Sequence, residues 1–154
     1  MSPTNRLGYL LQHTASILAR QYDVVLQKEL GLGMAQFKIL MILQHGQHIQ
    51  QNKLADCLGQ TEASISRQIK LLAKAGLLEV QVTPDNRRQH IASVTAKGAA
   101  LTSQALEILK NYSAPIFDSL TAAQKQQLES CLEVLHQHTC AAGKPFACNH
   151  SFDK

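Results

Sequence analysis

No apolar run in this 154-residue chain approaches the roughly 20 residues a membrane-spanning helix needs. Charged residues make up 17% and hydrophobic ones 45%, a balance that excludes both a disordered chain and a membrane protein. The four cysteines (Cys57, Cys131, Cys140, Cys148) are too few and too unevenly spaced for a disulfide scaffold, three of them falling in the last 24 residues. Catalytic equipment is missing too: there is no glycine-rich phosphate loop, no nucleophile–base set and no carboxylate pair, so neither enzyme activity nor a cofactor is expected. The opening residues, MSPTNRLGYLLQH, lack a basic stretch leading into a continuous apolar segment and lack a small-residue cleavage site. The expected location is therefore the cytoplasm.

What is present is one domain's worth of chain, or one domain with appended dimerisation helices. At this length folding removes roughly 68–70% of the unfolded surface from water, enough for a core without staples. The formal net charge is +4, and +3 of it lies between Thr61 and Lys97, where Arg67, Lys70, Lys74, Arg87, Arg88 and Lys97 face Glu62, Glu79 and Asp85. A basic excess concentrated in about a quarter of the chain fits a polyanionic partner better than a uniform one would.

Apolar spacing predicts a mainly α chain with one small β-hairpin. A first helix, with Thr4 and Asn5 as candidate caps, carries Leu7, Leu10, Leu11, Ile17, Leu18, Val24, Val25 and Leu26 and runs to about Leu30, where Gly31 and Gly33 stop it. A second, AQFKILMILQH, points Phe37, Leu40, Met41 and Leu43 inward and closes at Gly46. A third, QNKLADCL, has Gln50 as a cap candidate, Leu54, Ala55 and Leu58 as its buried stripe, and Gly59 at its end.

The fourth helix opens on Thr61 as N-cap with Glu62 in its first turn, buries Ile65, Ile69 and Leu72, and ends at Gly76 in a left-handed cap. Its outward residues include Ser64, Ser66, Arg67 and Lys70, short hydroxyls and cations with no aromatic among them. LLEVQV and HIASV then alternate with a period of two around the turn-forming TPDNRR, which reads as a hairpin with Arg87 and Arg88 near its tip. Thr95 caps a long helix carrying Leu101, Ala105, Ile108, Leu109 and Tyr112, which Pro115 is expected to bend or interrupt. A last helix starts at the capping box Thr121-x-x-Gln124 and carries Leu128, Cys131, Leu132 and Leu135.

Helix, helix, short helix, turn, helix and hairpin is the order of a winged helix-turn-helix. LADCLG-QTEASISRQIKLLAKAGLLEV followed by NRRQHIASVTAKG resembles the MarR family of bacterial transcriptional regulators, over nearly the whole chain. The most specific part is an ordered set: Ala-Gly-Leu after the fourth helix, a basic hairpin tip, and Val-Thr-Ala-Lys-Gly opening the next helix. Two departures stand out. The family's tip has an acid, one residue, then an arginine, where this chain has Asn86-Arg87-Arg88 beside Asp85; and Met34 replaces a hydroxyl cap, an expected cost of up to ~1 kcal/mol at the second helix.

The resemblance implies a homodimer on a near-palindromic operator in double-stranded DNA, with no membrane role. Residues 1–30 and 98–140 would supply the dimerisation helices, 31–97 the DNA-binding domain and 141–154 a flexible tail. A helix of this size and chemistry fits the major groove: Arg67 suits a bidentate contact to guanine, Ser64 and Ser66 reach bases or phosphates, and Lys70 holds a phosphate. Thr61 with the adjoining amides would bind phosphate at the positive helix end, Gln50 joins the contact set, and Arg87 or Arg88 would enter the minor groove.

The family also implies control by a small, often aromatic or phenolic effector, by cysteine oxidation or by metal. Tyr9, His13, Phe37 and Met41 are candidate pocket residues, although ordinary core packing would use the same types. Cys57 reads as a small buried hydrophobe and Cys131 as interface packing, and the chain lacks the early cysteine of the family's oxidation-sensing branch. The tail gathers Cys140, Cys148 and His150 after His136 and His138, ligand types for zinc or copper(I), but at a spacing that is not a recognised structural zinc site. His45 and His48 are a second candidate pair beside an ordinary helix end. The leading expectation is a repressor released by an effector. The alternatives are a thiol- or metal-responsive regulator using the tail and a protein-binding winged helix without DNA affinity.

Overall fold

The computed structural model describes residues 2–45, 50–83 and 86–139, with backbone alone at 3, 82, 83 and 86–91. Its elements run α1 (Pro3–Leu30), α2 (Met34–His45), α3 (Gln51–Leu58), α4 (Glu62–Lys74), β1 (Leu78–Thr83), β2 (Asn86–Val94), α5 (Ala96–Phe117) and α6 (Ala122–Thr139). This is the expected mainly α chain with a two-stranded antiparallel wing.

Helix boundaries follow local chemistry wherever a short polar side chain can reach a free amide. Thr61 accepts from the Ser64 amide at 3.2 Å and Thr95 from the Gly98 amide at 3.0 Å. At α6 both halves of the capping box form: the Gln124 amide donates to Thr121 Oγ1 at 3.3 Å and the Thr121 amide to Gln124 Oε1 at 2.9 Å. After α4 the Gly76 amide bonds the Ala73 carbonyl and the Leu77 amide the Leu72 carbonyl, the Schellman pattern, and Gly76 takes the φ of +72° that the pattern needs.

Four local expectations are corrected. Ser2, not Thr4 or Asn5, caps α1, with Pro3 at the first helical position where its missing amide costs nothing. Gln50 stands at the N-cap of α3 but makes no side-chain capping bond. Of the two expectations for Pro115, to bend or to interrupt α5, interruption does not occur: Pro115 lies inside the helix, which ends two residues later, and Asn111, whose carbonyl has no amide to accept from at Pro115, is exposed. The strands also reach further toward the tip than the alternating runs, to Thr83 and from Asn86.

The missing hydroxyl at the start of α2 is compensated from a distance. Asp23, two turns before the end of α1, accepts from the Met34 amide at 2.7 Å, and Gln36 reaches back to the Gly33 amide at 3.1 Å. The carboxylate also suits the positive end of α2, so the cap is present and additionally ties α2 to α1.

The core joins one face from nearly every element: Leu26, Phe37, Ile39, Leu40, Leu43, Leu54, Ile65, Ile69, Leu72, Leu77, Leu78, Ala92, Ala105 and Leu109. Tyr22 of α1 meets Tyr112 of α5 edge-on, their centroids 6.0 Å apart. The buried hydroxyls are satisfied within α5, Thr102 donating to the Gly98 carbonyl and Ser113 to that of Leu109. α6 buries no residue, and residues 4–16 of α1 are exposed throughout.

Replacing Asp23 with Ala should lower unfolding free energy by about 1 kcal/mol, and Asp23→Asn by less, in urea titrations at fixed protein concentration. An unchanged midpoint for Asp23→Ala would remove the long-range cap from the account of α2.

Candidate nucleic-acid interface

α4 buries Ile65, Ile69 and Leu72 on one side, so Arg67, Lys70 and Lys74, spaced by three and four, line the opposite side. All three are exposed, and no ion pair among the described residues engages them. Three unneutralised cations along one helix edge form a line of positive potential about two turns long. Lys74 belongs to this line although its charge was not counted as a contact at the sequence level; the spacing from Arg67 and Lys70 is the signal that identifies it.

The hydroxyls flank this line and are partly engaged. Ser66 is half-buried, and so is Ser64, whose Oγ donates to Gln60 Oε1 at 3.2 Å. Ser64 thereby braces the turn between α3 and α4 and retains acceptor capacity. Thr61 is exposed at the helix start, its oxygen occupied by the Ser64 amide. Gln50 is exposed at the head of α3.

In the wing, Leu78 pairs with Val94, Val80 with Ala92 and Val82 with His90, after which the register jumps to Thr83 opposite Asn86. Arg87, Arg88 and Gln89 therefore oppose no residue of β1. Such a break bends and twists a hairpin end. The two arginines thus sit on an irregular stretch of strand next to the turn.

The remaining candidates fall into separate places. Tyr9 and His13 stack on each other, rings 5.4 Å apart and 9° from parallel, on the exposed early part of α1. Phe37 is in the core and Met41 packs against it. A distinct groove lies between α1 and α5, lined by Arg20, Gln21, Val24, Val25, Lys28, Glu29 and Tyr112, with a volume of about 580 Å³. It was not anticipated, because it needs the α1–α5 pairing as well as the sequence. Cys57 is half-buried and Cys131 exposed. His45, His136 and His138 lie in the last turns of α2 and α6. His48, Cys140, Cys148 and His150 lie outside the described residues, and among the described ones no three His, Cys, Asp or Glu side chains gather as a metal site. No helix of the described residues is long and apolar enough to cross a membrane.

Comparison with known proteins agrees with this architecture. Residues 30–89, from the end of α1 into the second strand of the wing, match the model of the MarR family. The HTH-type transcriptional repressor Rv2887 of Mycobacterium tuberculosis is 27% identical over 129 residues, covering 84% of this chain and 92% of the repressor. Its crystal structure in complex with p-aminosalicylic acid superposes with a TM-score of 0.72 at 26% identity, over 84% of this chain and 97% of that one. A crystal structure of MarR gives 0.76 at 25% identity, over 83% and 89% of the two chains. In its matching segment, along most of its sequence and in its winged helix, this chain is similar to the MarR family of transcriptional regulators.

Proposed function

We propose that the protein is a homodimeric repressor that reads a near-palindromic DNA operator with α4 and the wing and is released by a small aromatic or phenolic effector. The carrying observation is the exposed, unpaired edge Arg67–Lys70–Lys74 on a helix whose other face is locked in the core. In the major groove Arg67 meets guanine and Lys70 and Lys74 meet phosphate, while the wing carries Arg87 and Arg88 toward the adjacent minor groove.

A second copy is supported by the apolar residues that the chain leaves uncovered: Leu7, Leu10 and Leu11 on α1, Ile116 and Phe117 on α5, and Leu128, Leu132 and Leu135 on α6. The i, i+3, i+4 spacing on α1 and the i, i+4, i+7 spacing on α6 give these two helices a seam for helix–helix packing. Two-fold pairing through these seams would set the recognition helices about 34–36 Å apart, one turn of DNA. For the effector, the α1–α5 groove combines Val24, Val25 and Tyr112 with Arg20, while Lys28 there already faces Glu29 at 3.9 Å; an apolar wall beside the Arg20 guanidinium suits a small aromatic anion. The M. tuberculosis relative's complex with p-aminosalicylic acid supports that class.

Operators recovered by selection of bound genomic fragments supply the assay. Arg67→Ala should lose about 1–3 kcal/mol of discrimination at one base pair of each half-site while keeping non-specific affinity. Full discrimination in that variant would exclude Arg67 as the base reader. Converting both Arg87 and Arg88 to Ala should instead weaken binding across sequences and flatten its salt dependence; an unaltered slope takes the wing out of the contact set. Leu132→Asp should yield a folded monomer in sedimentation with operator affinity lost, and a variant that still sediments as a dimer would place the interface elsewhere.

A further inference from the structure

The end of α4 and the start of α5 are bonded to each other directly, by residues eighteen or more positions apart in sequence. The Thr95 amide donates to the Leu77 carbonyl at 3.1 Å, and the Thr95 hydroxyl to the Gly76 carbonyl at 2.8 Å. Lys97 Nζ donates to the Ala75 carbonyl at 2.8 Å. An ammonium at this position neutralises the negative end of α4 and occupies a carbonyl that a helix terminus leaves free. Elsewhere α4 packs on α2, α3 and β1, and α5 on α1, α2 and β2, so that α2 is the neighbour they share. The junction is therefore their direct tie.

We propose that Thr95 and Lys97 are positioning residues that fix the direction of the recognition helix relative to α5, so that operator half-site spacing is read through this junction. Lys97 is one of six cations in the basic segment. Its charge is committed to the end of α4, not to a DNA phosphate. If α5 belongs to the dimer scaffold, a stiff α4–α5 joint makes the distance between the two recognition helices a fixed ruler. A loosened joint lets each helix swing to meet a displaced half-site. The inference rests on the operator reading above.

The test uses the full-length protein, the selected operator and derivatives with one or two base pairs inserted between half-sites, read by fluorescence anisotropy over a salt series. The wild type should lose affinity on insertion. In Lys97→Met the ratio between selected and spaced operators should shrink by about two- to fivefold, as expected for loss of one charged contact at a helix end. Its salt slope should match the wild type. Lys97→Arg, which keeps the donor, should restore the ratio; Thr95→Val should shrink it and Thr95→Ser restore it.

A Lys97→Met slope lower by about one per protomer would make Lys97 a phosphate contact and overturn the proposal. An unchanged spacing ratio in Lys97→Met, or no spacing penalty in the wild type, would overturn it as well. Failure of the wild type to bind any duplex would instead bring down the operator reading itself, a result distinguishable from all of these.

Discussion

The architecture turns on one close approach. A β-carbon added to Gly98 would lie 2.2 Å from the Leu77 carbonyl oxygen and 2.9 Å from Val94 Cγ1. Neither atom can yield cheaply, because Leu77 follows the Schellman turn of α4 and Val94 ends β2. Only a bare backbone lets the first turn of α5 lie against that corner. Helix α4, both strands of the wing and the longest helix after α1 consequently meet within a few residues of one another. What the family resemblance singled out as Ala-Gly-Leu and Val-Thr-Ala-Lys-Gly is thus one contact written as two segments.

Around this corner the chain divides its surfaces by chemistry. α2, α3 and one side of α4 are drawn together by aliphatic residues that are almost wholly buried, and α1 joins them through Leu26 and the Asp23 cap. The opposite side of α4 remains hydrated and cationic. α6 and the early part of α1 retain apolar rows that the described residues leave exposed. A helix that is amphipathic yet buries nothing within its own chain has an unused hydrophobic face, and exposed patches of that kind mark association surfaces.

Local signals made most of this legible in the sequence. Thr61, Thr95, Thr121 with Gln124, and Gly76 each act within a turn of their own position, so their roles could be read without coordinates. The outward placement of Arg67 and Lys70 followed from the spacing of Ile65, Ile69 and Leu72. Features that depend on distant partners were not readable. Asp23 supplies a cap eleven residues away, and Lys97 looks like one more surface cation until the Ala75 carbonyl is beside it. Ser2 competed with Thr4 and Asn5, all good caps, and won because Pro3 suits the position after it. The register break opposite Arg87 and Arg88 likewise has no marker in the alternating pattern, which speaks for paired residues only.

The uncovered row on α6 has a thermodynamic consequence. If a second molecule covers it, part of the free energy that holds the fold together is supplied by association, and resistance to heat then rises with the amount of protein present. A cell making few copies would hold a more fragile molecule than one making many. Abundance and durability would then be set together, by the same leucines.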